Sequence, residues 1–473
     1  MKKAAVAAGV VVLIAAGYLG ATALTGQRVA SAYDARLAKL EQQMPFLRVV
    51  DRQTEKGLFS STFSGSVRIG CVPDMAAGTD GKSAKPLVIG FRDHVLNGPL
   101  PGFKGFGAAV IESQITLPAD APESLRNYVA GMKPQDIRTQ VGYGGGYTTA
   151  VRLPAGDFAL PIGQLSWPEV HASGSGRLDG GAMTMEGHLP ELAFRGAAGK
   201  DGPTKGANFK LVNMRWKGSQ SGDGSIWLRP GGTEVDIERI ELSADAGEQP
   251  MSAQFGKLKY STQLTQAQDL IDVKIAFTGS ATLQIGKDAQ PIQLDDIEFQ
   301  ESLKRMHAPT LQKVMDLSTT DMSTCGEAGN LSVDPQARVQ ELMRILAQLL
   351  PYAPEVSVDK LAVSYNGQRG ELAYAASAPG LTAKDLENPA GLQGQLQQKM
   401  VLRANARLPV AWIEAFGTRG GDAAGAQQRV AQANTMLDLA TAKGIAVRDG
   451  DFVTSTLLLE RGAITVNGKP FGR

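Results

Sequence analysis

Apolar and polar residues alternate along much of the chain, with a turn residue every few positions. The run Leu270–Phe277 is the clearest case: Ile271, Val273, Ile275 and Phe277 fall on one side, Asp272 and Lys274 on the other. A period of two predicts strands with one dry and one wet face, as in an antiparallel sheet. The same grammar recurs in "NFKLVNMRW", "SIWLRP", "TEVDIERIEL" and "ATLQIG". "LRVVDRQTEKGLFSSTFSGSVRIGC" reads as a hairpin joined at Glu55-Lys56-Gly57, and Asn366-Gly367 marks another between two alternating runs. The carboxyl end, "FVTSTLLLERGAITVNGKPF", reads as a final hairpin.

A three-four spacing replaces the alternation in four places. Val29, Tyr33, Leu37, Leu40 and Met44 form a helical stripe closed by Pro45. A helix is predicted from about Phe299 to Leu317, and another after Asp334, with Pro335 at its first position and Val339, Leu342, Met343, Leu346, Leu349 and Leu350 as its apolar stripe. A fourth spans about Ala423 to Lys443 and stops at Gly444. The expected fold class is therefore α+β, dominated by an extended, curved antiparallel sheet with a few packed helices. No fixed repeat is visible, which argues against a propeller or solenoid.

The first residues add a membrane segment to that picture. Met1-Lys2-Lys3 precedes Ala4 to Leu24, a stretch without charge. It is long enough to cross a bilayer, which takes about 20 residues, so the expectation is an N-terminal transmembrane helix, uncleaved. A secretory signal cut after Ala23 is the alternative. Both export the remainder of the chain, and the expected location is the bacterial inner membrane, single-pass, with the bulk periplasmic. The expected division is residues 1–26 anchor, 27–45 amphipathic linker helix, 46–293 β-rich periplasmic region and 294–473 α+β region.

Charge and composition exclude some partners. The 48 Lys and Arg nearly balance the 47 Asp and Glu, leaving no field for a polyanion, so no nucleic acid is expected. The 55 glycines among 473 residues are dispersed, as many short turns require. In an oxidising compartment Cys71 and Cys325 are a candidate disulfide, closing a long loop worth about 5 kcal/mol in the loop-entropy model; two buried thiols are the alternative.

Catalytic chemistry finds little support. There is no G-x-S-x-G elbow, no H-E-x-x-H, no cysteine pair at zinc spacing and no calcium loop. Ser357-Val358-Asp359-Lys360 matches S-x-x-K in letters but alternates as a strand. His171 and His188 flank a predicted hairpin and face each other across it in that reading. The stretch "GYGGGY" lacks a phosphate-binding pattern and reads as a place where backbones approach closely. Asp93 and His94 are adjacent, so on a strand they point to opposite faces and do not form a dyad. Tyr143 and Tyr147, with Trp167, Trp216 and Trp227 on neighbouring predicted strands, are a candidate aromatic binding face for stacking on sugars; packing in the core is the alternative reading. No catalytic residue, cofactor or metal ligand is assigned.

The "GLFSS" hairpin (Gly57 to Ser61), the "NGPLP" turn (Asn97 to Pro101), "VGYGGGYTTAVRLP", "LLPYAPEVSVDKLAVSYNG" and the terminal "AITVNGKPF" occur in an order that resembles the YdgA family. The resemblance implies an inner-membrane-anchored envelope protein of unknown function, with Asn97, Gly98 and Pro99 as its turn motif. Members often carry His immediately before the Gly-Pro; here that position is Asn97. The functional expectation is a non-enzymatic, membrane-anchored periplasmic protein that holds a lipid or other apolar ligand in a β-sheet groove, by analogy with AsmA-type proteins. The alternative is a scaffold for peptidoglycan or an envelope protein, and a hydrolase ranks last.

Overall fold

The computed structural model describes residues 46–57, 60–72, 85–97, 101–103, 106–160, 162–178, 180–197, 206–222, 225–244, 250–286, 290–323, 335–386, 389–418 and 423–471, with Ala38, Glu41 and Met44. They fall in two compact units, one drawn from Met1–Val235 and Gln312–Leu342, the other from Asp236–Leu311 and Met343–Arg473.

In the first unit, strands β1 (Leu47–Lys56), β2 (Ser60–Val72), β3 (Lys85–Asn97), β4 (Ala109–Thr116), β5 (Ile137–Val141) and β6 (Gly146–Leu153) pair antiparallel, each with the next. A short hairpin, β7 (Gly156–Leu160) and β8 (Gly163–Trp167), leads to β9 (Val170–Arg177), which pairs with β6. β10 (Met183–Gly196) gives the first part of one edge to β9 and the last part to β8, while β11 (Asn208–Gln220) lines its other edge. Alternation puts Phe63, Val67, Ile89, Phe91, Val95 and Ile111 on one face, where they are buried in a common core with Met44, Leu47, Val141 and Tyr147. Each such aliphatic side chain withdrawn from water contributes roughly 1.5–3 kcal/mol. The helix Glu123–Gly131 packs Tyr128 edge-on against Phe158 and Trp167, and the Tyr128 hydroxyl and Trp167 indole N–H both donate to the Pro154 carbonyl, at 2.7 and 3.2 Å. Burial raises the Tyr128 phenol above its ordinary range, with the indole contact opposing.

The division falls within β12 (Gly231–Ala244). The second unit is a meander of β13 (Met251–Ala267), β14 (Leu270–Ile285), β15 (Ile292–His307), β16 (Glu355–Tyr365), β17 (Gln368–Ser377) and β18 (Val401–Pro409). After the helices Ala411–Gly417 and Ala423–Ala442 the chain returns through β19 (Val447–Asp449), β20 (Phe452–Glu460), β21 (Ala463–Val466) and β22 (Lys469–Pro470). β20 pairs with both β18 and β19. The Asn366-Gly367 turn has both residues at positive φ, 50 and 73°, as a type I′ hairpin requires. Register shifts in β1, β13 and β15 coincide with left-handed residues Asp51, Lys257 and Asp296, so these are bulges that bend their strands locally.

Three expectations need correction. The transmembrane helix is not among the described elements of the fold: no helix of the described residues is long and apolar enough to cross a membrane. Residues 4–24, where it was placed, lie outside the described residues, as does nearly all of the 27–45 linker. The helix expected from Phe299 is a strand as far as His307 and becomes helical only at Ala308–Ser323. Ser225–Pro230, read as a strand, is a turn.

Candidate functional site

Register assigns every side chain of the second unit to a face. Tyr260, Phe277, Phe299, Leu361, Leu372 and Ala406 stand opposite one another in a single row from β13 to β18. A second row reads Thr262, Ile275, Glu301, Val358, Tyr374, Ala404 and Leu457. A third reads Leu264, Val273, Leu303, Val356, Ala376, Leu402, Leu459 and Ile464. Together they form one apolar face. A covered core would bury these residues, yet Leu372, Val356, Leu361, Tyr374 and Tyr260 are 36, 38, 39, 40 and 40 % exposed.

One end of this face is closed. The helix Ala411–Gly417 lays Trp412 over Gly370, where a Cβ would strike the indole, and stacks Phe416 on Tyr365 at 4.8 Å. The Trp412 N–H donates to the Tyr365 carbonyl at 3.3 Å. Within the three rows Glu301 is the one charged side chain, and it has no ion pair among the described residues.

The opposite face is polar and internally paired. Glu298 accepts from Lys360 at 3.0 Å and from Arg369 at 2.7 Å, and Arg369 also reaches Glu371 at 2.9 Å. The hydrogen bond from Lys360, aided by Arg369 and only partly offset by burial, holds the Glu298 carboxyl below the usual carboxylate range. Beside it, Ser302 and Ser357 donate to the two oxygens of Asp359. Burial would raise that carboxyl, but the two hydroxyls, with Lys304 and Lys274 nearby, lower it. Lys360 therefore serves Glu298 and Ser357 serves Asp359, so the S-x-x-K letters describe no nucleophile-base pair.

Against known families, the model for a bacterial protein of unknown function, DUF945, matches residues 1–472. The chain belongs to this family. No curated protein and no solved structure matches it.

The sequence-derived candidates of this DUF945 chain land as follows. Tyr147 is 6 % exposed, locked in the core over Gly176, so it presents no ring to a ligand. Tyr143 sits in the exposed turn between β5 and β6, edge-on to Phe106 at 5.5 Å, and Trp167 packs under Tyr128. The three do not make one binding face, because alternation sends Tyr147 inward while the turn carries Tyr143 outward. "GYGGGY" is that turn: Gly142 N–H donates to the Gly146 carbonyl and Gly145 has φ 75°.

Asp93 is fully buried, and His94, on the other face, has Nδ1 3.4 Å from Thr62 Oγ1. His171 and His188 are direct cross-strand partners. Their Nε2 atoms are engaged elsewhere, His171 with Glu169 and His188 with Asn213, each at 2.9 Å. Among the described residues no group of three or more ligating side chains is assembled. Asn97 ends β3 opposite Ala109; Gly98, Pro99, the Cys71 side chain and Cys325 lie outside the described residues. Sequence reading missed the three apolar rows, since each strand alone shows alternation but not which partners continue its dry side.

Proposed function

We propose that the protein binds an apolar chain, such as a lipid tail, along the open face of β13–β21, and acts by binding and not by catalysis. The observation that carries this reading is the row from Tyr260 to Leu372, apolar throughout and more than a third exposed at both ends. Contiguous exposed apolar surface of this kind marks an interaction site in soluble units. Glu301, the one charged side chain of the three rows, gives the face a carboxylate acceptor for a donor group at a ligand's polar end. Export to the bacterial envelope is part of the proposal and leans on the uncharged run from Ala4 to Leu24. Placement with the YdgA members of the family leans on the order of the short motifs and is compatible with the family match.

The test uses the neutral dye N-phenylnaphthylamine as the apolar probe on the full chain. Saturable fluorescence enhancement is expected, reduced at least about tenfold in Leu372→Glu/Tyr374→Glu. Both positions are half-exposed, so the double variant should melt like the parent by circular dichroism. A variant that melts normally and binds the dye undiminished overturns the reading, as does a parent that binds none.

A further inference from the structure

The open face of the second unit carries one charge that its packing does not explain. Glu301 stands directly opposite Ile275 on β14 and Val358 on β16. On its own strand Phe299 and Leu303 follow on the same face two residues to either side; Phe299 pairs with Phe277 and Leu361, Leu303 with Val273 and Val356. Asp359 is one of the two extra residues where β16 shifts register, and Ser302 and Ser357 hold its carboxylate on the polar face, so Leu361 stays in phase with Val358. All eight positions around Glu301 on its face are therefore apolar.

A carboxylate in such a setting lacks everything that normally stabilises it. None of the eight side chains donates a hydrogen bond. Glu301 itself is half-buried and has neither an ion pair nor a side-chain hydrogen bond among the described residues. Withdrawing a charge from water costs free energy unless a counter-charge meets it. Glu298, three residues earlier on the polar face, shows the contrast: Lys360 and Arg369 both reach it. The fold supplies cations to one carboxylate and withholds them from the other.

The missing counter-charge selects the occupant. An anionic head is repelled by Glu301, and a neutral alcohol gains one hydrogen bond. A protonated amine gains that bond together with the attraction of opposite charges, which apolar surroundings strengthen. Phe299 beside Glu301 and Phe277 diagonal to it add two aromatic rings, whose faces also attract an ammonium group.

We infer that the ligand of this face is a cationic amphiphile, its ammonium head at Glu301 and its apolar body on the surrounding rows; this rests on the apolar-chain reading of the same face. Displacement of N-phenylnaphthylamine from the full chain by decylamine, decanol and decanoate at pH 7 tests it, since the amine is then protonated and the acid ionised. Decylamine is expected to bind at least about tenfold more tightly than decanol, and decanoate more weakly than either. Glu301→Gln should bring decylamine within about twofold of decanol, and Glu301→Lys should place decanoate first. Glu298→Gln removes the same charge from the opposite face and should keep the parent's order, which separates position from net charge. A parent that binds the dye but treats the three alike overturns this inference and leaves the apolar-chain reading standing; a parent that binds no dye overturns both. Amine preference retained in Glu301→Gln, or lost equally in Glu298→Gln, also overturns the inference.

Discussion

Several glycines of this chain serve aromatic rings more than turns. Gly187 lies beneath Trp216 of the neighbouring strand, Gly176 beneath Tyr147 and Gly370 beneath Trp412. A Cβ at any of these meets the ring, so the absent side chain is what lets an indole or phenol lie across the adjacent strand. Gly187→Ala is expected to lose about 1–3 kcal/mol by forcing Trp216 to move. Gly144→Ala, with open space around its Cβ, should stay within about 0.5 kcal/mol of the parent. Urea midpoints of the two variants check the contrast. Reading "GYGGGY" as a close approach located the right physics at the wrong glycines, because letters do not show which strand lies opposite. Charge at the residue scale gives a second expectation. The Glu298 pKa is lowered in the folded protein, so its stabilisation is present above the unfolded carboxylate value of about 4.3 and is lost as pH falls through the folded value. Glu298→Gln should cost about 0.5–1 kcal/mol at pH 7 and flatten the acid limb of the stability curve. Equal slopes below pH 4 for parent and variant would contradict this.

Hairpins were legible in the sequence wherever the period of two ran unbroken into a turn with its own chemistry. Asn366-Gly367 is the clearest: both residues hold positive φ, and Tyr365 faces Gln368 across the turn. Placing a Cβ at Gly367, φ 73°, should cost about 1–2 kcal/mol. Gly367→Ala measured beside Asn366→Gly, which removes the milder strain, should move thermal stability in opposite directions. β15 shows where the reading failed and why. Its bulge at Asp296 and the register shift opposite Ile271 and Val273 each insert an extra residue. Leu294 to Ile297, Phe299 to Leu303 and Leu303 to Met306 are therefore spaced by three or four, the signature of a helix, although every one of them lies on a strand. A pattern count cannot distinguish a twice-bulged strand from a helix stripe; only the partners β14 and β16 decide it. The helix Ala423–Ala442 was readable because no partner was needed to define it, and Gly444, φ 70°, ends it as expected.

For the molecule as a whole, the formal net charge of +1 at pH 7 meets an apolar face left open in the second unit. Solubility ordinarily rests on net repulsion, and near neutrality there is almost none to hold two copies apart. Half-exposed Tyr260, Leu361, Leu372 and Tyr374 then present a surface that a second copy can cover as readily as a ligand can. Concentration-dependent association at pH 7 is the expected consequence, visible as rising mass in light scattering. Because the attraction is apolar, moderate salt should not dissolve the associated species, whereas a charge-driven complex would loosen as the screening length shrinks to about 8 Å. Leu372→Glu/Tyr374→Glu acts on both terms at once, adding repulsion and removing contact, and should return the protein to a single copy. Saturating N-phenylnaphthylamine should do the same in the parent, since dye and second copy compete for the same side chains. A parent that stays monomeric across the concentration range, or an associated form indifferent to both the variant and the dye, would mean that the exposed rows are not where copies meet.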